Sequence, residues 1–181
     1  MLNLSIIEQL CFCTTRIETE DINGNKYSGT GFFYNFNIEG QTVPVIVTNK
    51  HVVKNMKKGM FRLTKTNADG LPTYTEHFTI TYDTNFEQMC IFHPCADVDL
   101  CILPIYPILN AANKMGNKLF FRTLDNSLIP TKEQLNSFDA IENITMIGYP
   151  NGLWDSVNNM PIARRGITAT PVYLNYEGKK E

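Results

Sequence analysis

Residues 45–53 read VIVTNKHVV. A short apolar run rich in β-branched side chains that stops at a threonine has the composition of a buried strand. A histidine, His51, and two further valines follow almost at once. A histidine beside apolar residues is ordinarily a packed, hydrogen-bonded side chain, so His51 acquires chemical meaning only if the rest of the chain supplies it with a partner.

Outward from this stretch the pattern repeats. CFCTTRIETE and KYSGTGFFYNF flank DINGN, whose Asn23-Gly24 pair suits a hairpin turn because both residues tolerate positive φ. TVPVIVTN follows NIEGQ, FRLTKT ends at NADGLP, and YTEHFTITY alternates again; DLCILPI, NITMIGY and GITATPVYL complete the expected strands. Helical signals are few. VVKNMKKG has room for one turn before Gly59 ends it, and TKEQLNSF places Gln134 three residues after Thr131, the spacing of a capping box. Apolar periodicity lapses over about residues 122–142, which marks the best boundary. The expected fold class is all-β.

The 181 residues suffice for one sizeable core or two small ones. With 43% hydrophobic and 19% charged residues the chain is not of the disordered type, and a net charge of -2 gives no electrostatic reason to expect nucleic acid or a membrane surface as partner. The opening MLNLSIIEQLCFC lacks a basic segment and carries Glu8 amid its apolar residues, so no signal peptide is read and a cytoplasmic location is expected. No apolar run approaches the roughly 18 residues that cross a bilayer. Five cysteines, an odd number without a repeated framework, favour reduced thiols. The sequons at Asn3 and Asn143 matter only in an exported protein.

General-base catalysis near neutral pH favours an imidazole, and an imidazole that activates a nucleophile needs a carboxylate to hold its tautomer and stabilise its cation. HPCADVDLCILPI offers Asp97 and Asp99, the latter directly before an apolar strand. Together with SGTGFFY (28–34), PVIVTNKHVV (44–53), DVDLCILPI (97–105), IGYPNGLWD (147–155) and PIARRGITAT (161–170), this order resembles the trypsin-like serine peptidases with two β-barrels, above all their bacterial branch. The resemblance spans nearly the whole chain. It implies that His51 is the general base and Asp99, rather than Asp97, its orienting acid, that the substrate is a peptide or protein, and that no metal or organic cofactor takes part.

The family's nucleophile lies in a Gly-x-Ser-Gly loop of the second barrel, and no such motif occurs in this sequence. A second barrel should contribute about six strands, whereas only two or three strand-like segments follow the boundary. The expected organisation is therefore a nearly complete first barrel over 1–125 carrying His51 and Asp99, a linker with a short helix over 126–142, and the opening strands of a second barrel over 143–181. As written the chain lacks an attacking group and an oxyanion hole. The leading expectation is the N-terminal portion of a trypsin-like serine endopeptidase, truncated before its serine. The alternative is a degenerate peptidase that binds peptides or proteins without cleaving them. Either reading leaves strand edges exposed and favours self-association.

Other residues carry weaker signals. Cys90, His93 and Cys95, with Cys101, are close enough in sequence to raise a zinc site, but the paired spacing of structural zinc is missing, and buried thiols account better for all five cysteines. None of the cysteines lies where a chymotrypsin-like cysteine peptidase would carry its thiol. His77 sits in an alternating strand, Arg164-Arg165 reads as a solvated pair, and Trp154 as a side chain packed over a loop.

Overall fold

The structure, a computed structural model, describes residues 4–174. Asn3 of the first sequon and residues 175–181 of the expected second unit lie outside the described residues. The order of elements is α1 (Ile6–Cys11), β1 (Thr14–Asp21), β2 (Lys26–Ile38), β3 (Gln41–Thr48), α2 (Lys50–Val53), β4 (Met56–Thr66), β5 (Pro72–Tyr82), β6 (Ile91–Phe92), β7 (Cys101–Pro104), α3 (Tyr106–Lys114), β8 (Leu119–Phe120), α4 (Lys132–Ser137), β9 (Asn143–Gly148) and β10 (Ile162–Ile167). The protein is mostly β-sheet. Among the described residues, no helix is long and apolar enough to cross a membrane.

Eight strands form one antiparallel sheet in the order β5-β4-β1-β2-β3-β7-β6, with β8 added to β4. Alternation decides the faces: Thr15, Ile17 and Thr19 of β1 are buried, while Arg16, Glu18 and Glu20 lie on the outer side. The inner face closes over a core that includes Ile17, Phe33, Ile46, Phe61, Leu63 and Leu103, and Val52 and Val53 of α2 enter the same cluster. Each such side chain contributes about 1.5–3 kcal/mol on burial.

The glycines of β2 explain how a helix comes so close. A Cβ at Gly29 would stand 2.4 Å from Cγ2 of Val52, and one at Gly31 2.5 Å from Cγ2 of Ile46 and 2.8 Å from Cδ1 of Ile17. The bare strand is thus the surface on which the turn after Thr48 rests. Gly59, expected to end that turn, lies instead inside β4, where the Phe86 ring sits 2.4 Å from the place of its missing Cβ. The helix stops earlier, at Val53, because the chain passes straight through Asn55 at positive φ into a strand that must bury Phe61 and Leu63.

The expected near-complete barrel is not found as a closed one. β5 and β6 stand at opposite ends of the sheet, and β6, two residues long, pairs only with β7. Closure requires a continuous ladder, and the chain between β5 and β6 leaves the strand conformation to plug the core with Phe86, which is fully buried.

Several elements match the expectation and others correct it. The DINGN hairpin forms, with Gly24 at φ 85°, but Asn23 does not take a positive φ: the Asp21 carboxylate accepts from the amides of Asn23 and Asn25 and shapes the turn instead. α4 carries the reciprocal Thr131–Gln134 capping box. α1 has the same device on Ser5 and Glu8, and its helix takes Cys11 out of the strand expected to start there. α3 was unforeseen; Pro107 opens it, and Ile108 and Ala112, four apart, turn its one apolar edge inward.

β9 and β10 form a separate antiparallel ribbon, Gly148 opposite Ile162 and Asn143 opposite Ile167. The strand expected over GITATPVYL is thus displaced to the preceding residues. β9 begins at Asn143, so beyond Ile167 the chain is tied, among the described residues, only at Thr168, whose amide donates to the Glu142 carbonyl and whose hydroxyl accepts from the Glu142 amide and donates to the Ala140 carbonyl, and then turns at Pro171. The chain just before the linker is strapped to the first sheet: Leu124 N–H donates to Phe33 O at 2.9 Å, and Asn35 Nδ2 to Thr123 Oγ1 at 2.8 Å.

Candidate active site

β3 and β7 pair with Thr48 opposite Cys101. This register brings the residues just after β3 beside those just before β7, so that His51 and Asp99, 48 residues apart in sequence, become neighbours. His51 is carried by the single turn α2, whose Val52 and Val53 are anchored in the core against Gly29. Asp99 is the last residue but one of the irregular loop between β6 and β7.

The two side chains meet closely. His51 Nδ1 lies 2.5 Å from Asp99 Oδ2, and the His51 amide donates to Asp99 Oδ1 at 3.1 Å. An ionised carboxylate can only accept, so the contact selects the tautomer with the proton on Nδ1 and leaves the Nε2 lone pair outward. Among the described residues Nε2 has no hydrogen-bond partner, and the imidazole side chain is 72% exposed. Partial desolvation works to raise the Asp99 carboxyl, but the hydrogen bonds from the His51 ring and amide, the imidazole charge and Asn49 outweigh it and hold it below the ordinary carboxylate value. Asp97 is exposed and makes no bond to His51 among the described residues.

Two residues that sequence reasoning overlooked complete this corner. Asn49 Nδ2 donates to the Asp99 carbonyl at 2.9 Å, and Lys50 Nζ to the Cys95 carbonyl at 2.7 Å. Nothing in their types signalled this; only the β3–β7 register does.

Among the described residues, no serine hydrogen-bonds the imidazole. Ser5 caps α1, Ser127 bonds Asp125, Ser137 donates to Gln134 O, and Ser28 lies on the outer side of β2 near Gly152. The thiols are equally remote from this role. Cys90 Sγ donates to the Phe86 carbonyl at 3.8 Å, the neighbouring Cys101 thiol and burial push the Cys90 thiol up, and Cys101 is buried. His93 Nδ1 accepts from the Cys95 amide at 3.2 Å, within its own loop turn. Among the described residues, no group of three His, Cys, Asp or Glu side chains is placed to hold a metal ion. His77 bonds Tyr74 O, and Arg164 and Arg165 are solvated on β10.

The ribbon meets the first sheet near this corner. Thr48 Oγ1 donates to Thr30 O at 2.9 Å, and Thr30 Oγ1 accepts from the Tyr149 amide at 2.9 Å. One threonine therefore touches both the strand that delivers His51 and the segment that follows β9. The Trp154 ring lies close to two guanidinium groups, Arg16 at 5.0 Å and Arg62 at 5.6 Å from its centroid. No model of a known protein family matches the chain, and no curated protein matches it either.

Proposed function

We propose that this chain supplies the base and its orienting acid for a trypsin-like serine endopeptidase of the double-β-barrel type. The observation that carries the reading is the two-point contact of Asp99 with the His51 ring and amide. In such an enzyme His51 Nε2 removes the serine proton as the hydroxyl attacks the peptide carbonyl, and returns it to the leaving amine; Asp99 holds the imidazole and stabilises its cation. The reading requires a serine and oxyanion-hole amides that these 181 residues do not supply, since the sequence contains no Gly-x-Ser-Gly. The β9–β10 ribbon would be the start of the second barrel, and the Thr30 and Trp154 contacts would fix its distance from His51. Peptides or proteins are the substrates.

The test is the intact mass of the natural product in its source cells, compared with the 20.6 kDa of this chain. A product several kDa heavier that reacts with a fluorophosphonate, and ceases to react as His51→Ala, supports the reading. A product of this same mass without labelling overturns it. That outcome would favour a non-catalytic module that binds peptides or proteins, a reading to which the exposed apolar side chains of the ribbon, Ile144, Met146 and Ile167, lend some weight. The same edges favour pairing with a second copy. Size-exclusion chromatography showing a monomer at high concentration would count against that pairing.

A further inference from the structure

Asn49 occupies the N-cap position of α2, with extended backbone at φ -82° and ψ 145°. Asparagine is among the preferred residues there because its side chain can accept from the first free amides of the helix, a contribution of about 1 kcal/mol. Here it makes no such bond. Its amide turns the other way, across the gap to the next strand, and donates to the backbone carbonyl of Asp99 at 2.9 Å.

That carbonyl has a second donor, the Lys50 amide at 3.2 Å, which continues the β3–β7 register two residues beyond Thr48 and Cys101. Asp99 needs the support. The chain from His93 to Leu100 has no regular structure, it is almost wholly exposed, and the Asp99 side chain itself is 48% exposed. An aspartate on such a loop is free to choose among rotamers; with its carbonyl held by two donors, the side chain is aimed at the His51 ring and amide together. Lys50 adds a third tie, to Cys95 O. Three successive residues, Asn49, Lys50 and His51, thus grip the loop that presents the carboxylate.

We infer that Asn49 is a positioning residue, which gives up the capping of its own helix to hold Asp99 against His51; the inference rests on the proposed pairing of base and acid. The readout is the tautomer of neutral His51, taken from the ¹⁵N shifts of its two ring nitrogens in the full chain, which report it whether or not the ring proton exchanges with water. The wild-type chain is expected to hold its proton on Nδ1. Asn49→Ser keeps a good N-cap but is too short to span the gap, so α2 persists, the thermal midpoint stays level or rises, and the Nε2–H population grows about two- to tenfold, the factor one net hydrogen bond supplies.

A merely structural Asn49 would leave that ratio unchanged. If Asn49→Ser keeps the wild-type ratio while Asp99→Asn abolishes the Nδ1–H preference, the inference on Asn49 is wrong and the pairing stands. If wild-type His51 shows no Nδ1–H preference, the pairing itself is wrong. Asn49→Ala, which offers neither cap nor donor, gives the same comparison should Asn49→Ser fail to fold.

Discussion

The eight-stranded sheet and the β9–β10 ribbon are written in the same alphabet, short β-branched runs between turn residues, yet they end in opposite states. In the sheet every inward position of β1 and the last four residues of β3 are buried. In the ribbon only Gly148 of β9 is buried, and Ile144, Met146 and Ile167 face solvent. Alternation alone therefore does not make a core; a strand face is buried only when a second layer or a folded-back sheet covers it. His51 and Asp99 stand at the covered region, whereas the uncovered region touches it chiefly through Thr30 and Trp154.

The comparison breaks most easily at Phe61, which is 1% exposed. Phe61→Ala is expected to cost about 3–5 kcal/mol, while Ile144→Ala, at 46% exposure, should stay within about 0.5 kcal/mol. Urea unfolding of both variants checks this, and similar losses in the two would mean the ribbon is packed in solution. Next comes Gly29→Ala. The added methyl meets Val52 at 2.4 Å, so about 1–3 kcal/mol should be lost and the ¹⁵N shifts of the His51 ring should move with it; a variant as stable as wild type with unmoved shifts would sever α2 from β2.

Smaller effects sharpen the junction and the acid. Trp154 is the sole tryptophan of the chain, so its fluorescence reports the junction alone. Arg62→Ala should shift that emission to the red and cost about 0.5–1 kcal/mol; an unchanged spectrum would show that Arg62 does not cover the ring. The acid has a pH signature. Because the folded-state value of Asp99 is depressed, its stabilisation is present above the unfolded carboxylate value of about 3.9 and fades as pH falls through the lower folded value. The stability gap between wild type and Asp99→Asn should therefore be open near neutral pH and close below about pH 4; a gap that persists in acid would point to a packing role for Asp99.

How much could be read from sequence follows the same division. The strands of the sheet were legible because burial enforces period two, whereas the bare positions Gly29 and Gly31 gain their meaning only in the fold, where an absent Cβ admits Val52 and Ile46. His51 and Asp99 could be singled out, but their meeting depends on the Thr48–Cys101 register, which no local signal states. Asn49 stayed hidden for a sharper reason: its local preference is to cap α2, and a tertiary bond overrides it. α1 was readable in Ser5 and Glu8 and was obscured by the apolar residues after it. The displaced final strand shows the limit, since β10 ends where β9 gives out rather than where its own propensity does.

The most direct test of the pairing is the rate at which the natural, full-length product reacts with a fluorophosphonate when Asp99 is replaced by asparagine, with folding checked by circular dichroism. Loss of the carboxylate leaves the imidazole in the wrong tautomer, and the reaction should slow by on the order of 10⁴-fold. Labelling at the wild-type rate by a folded Asp99→Asn product would contradict the assignment of His51 and Asp99 as base and orienting acid.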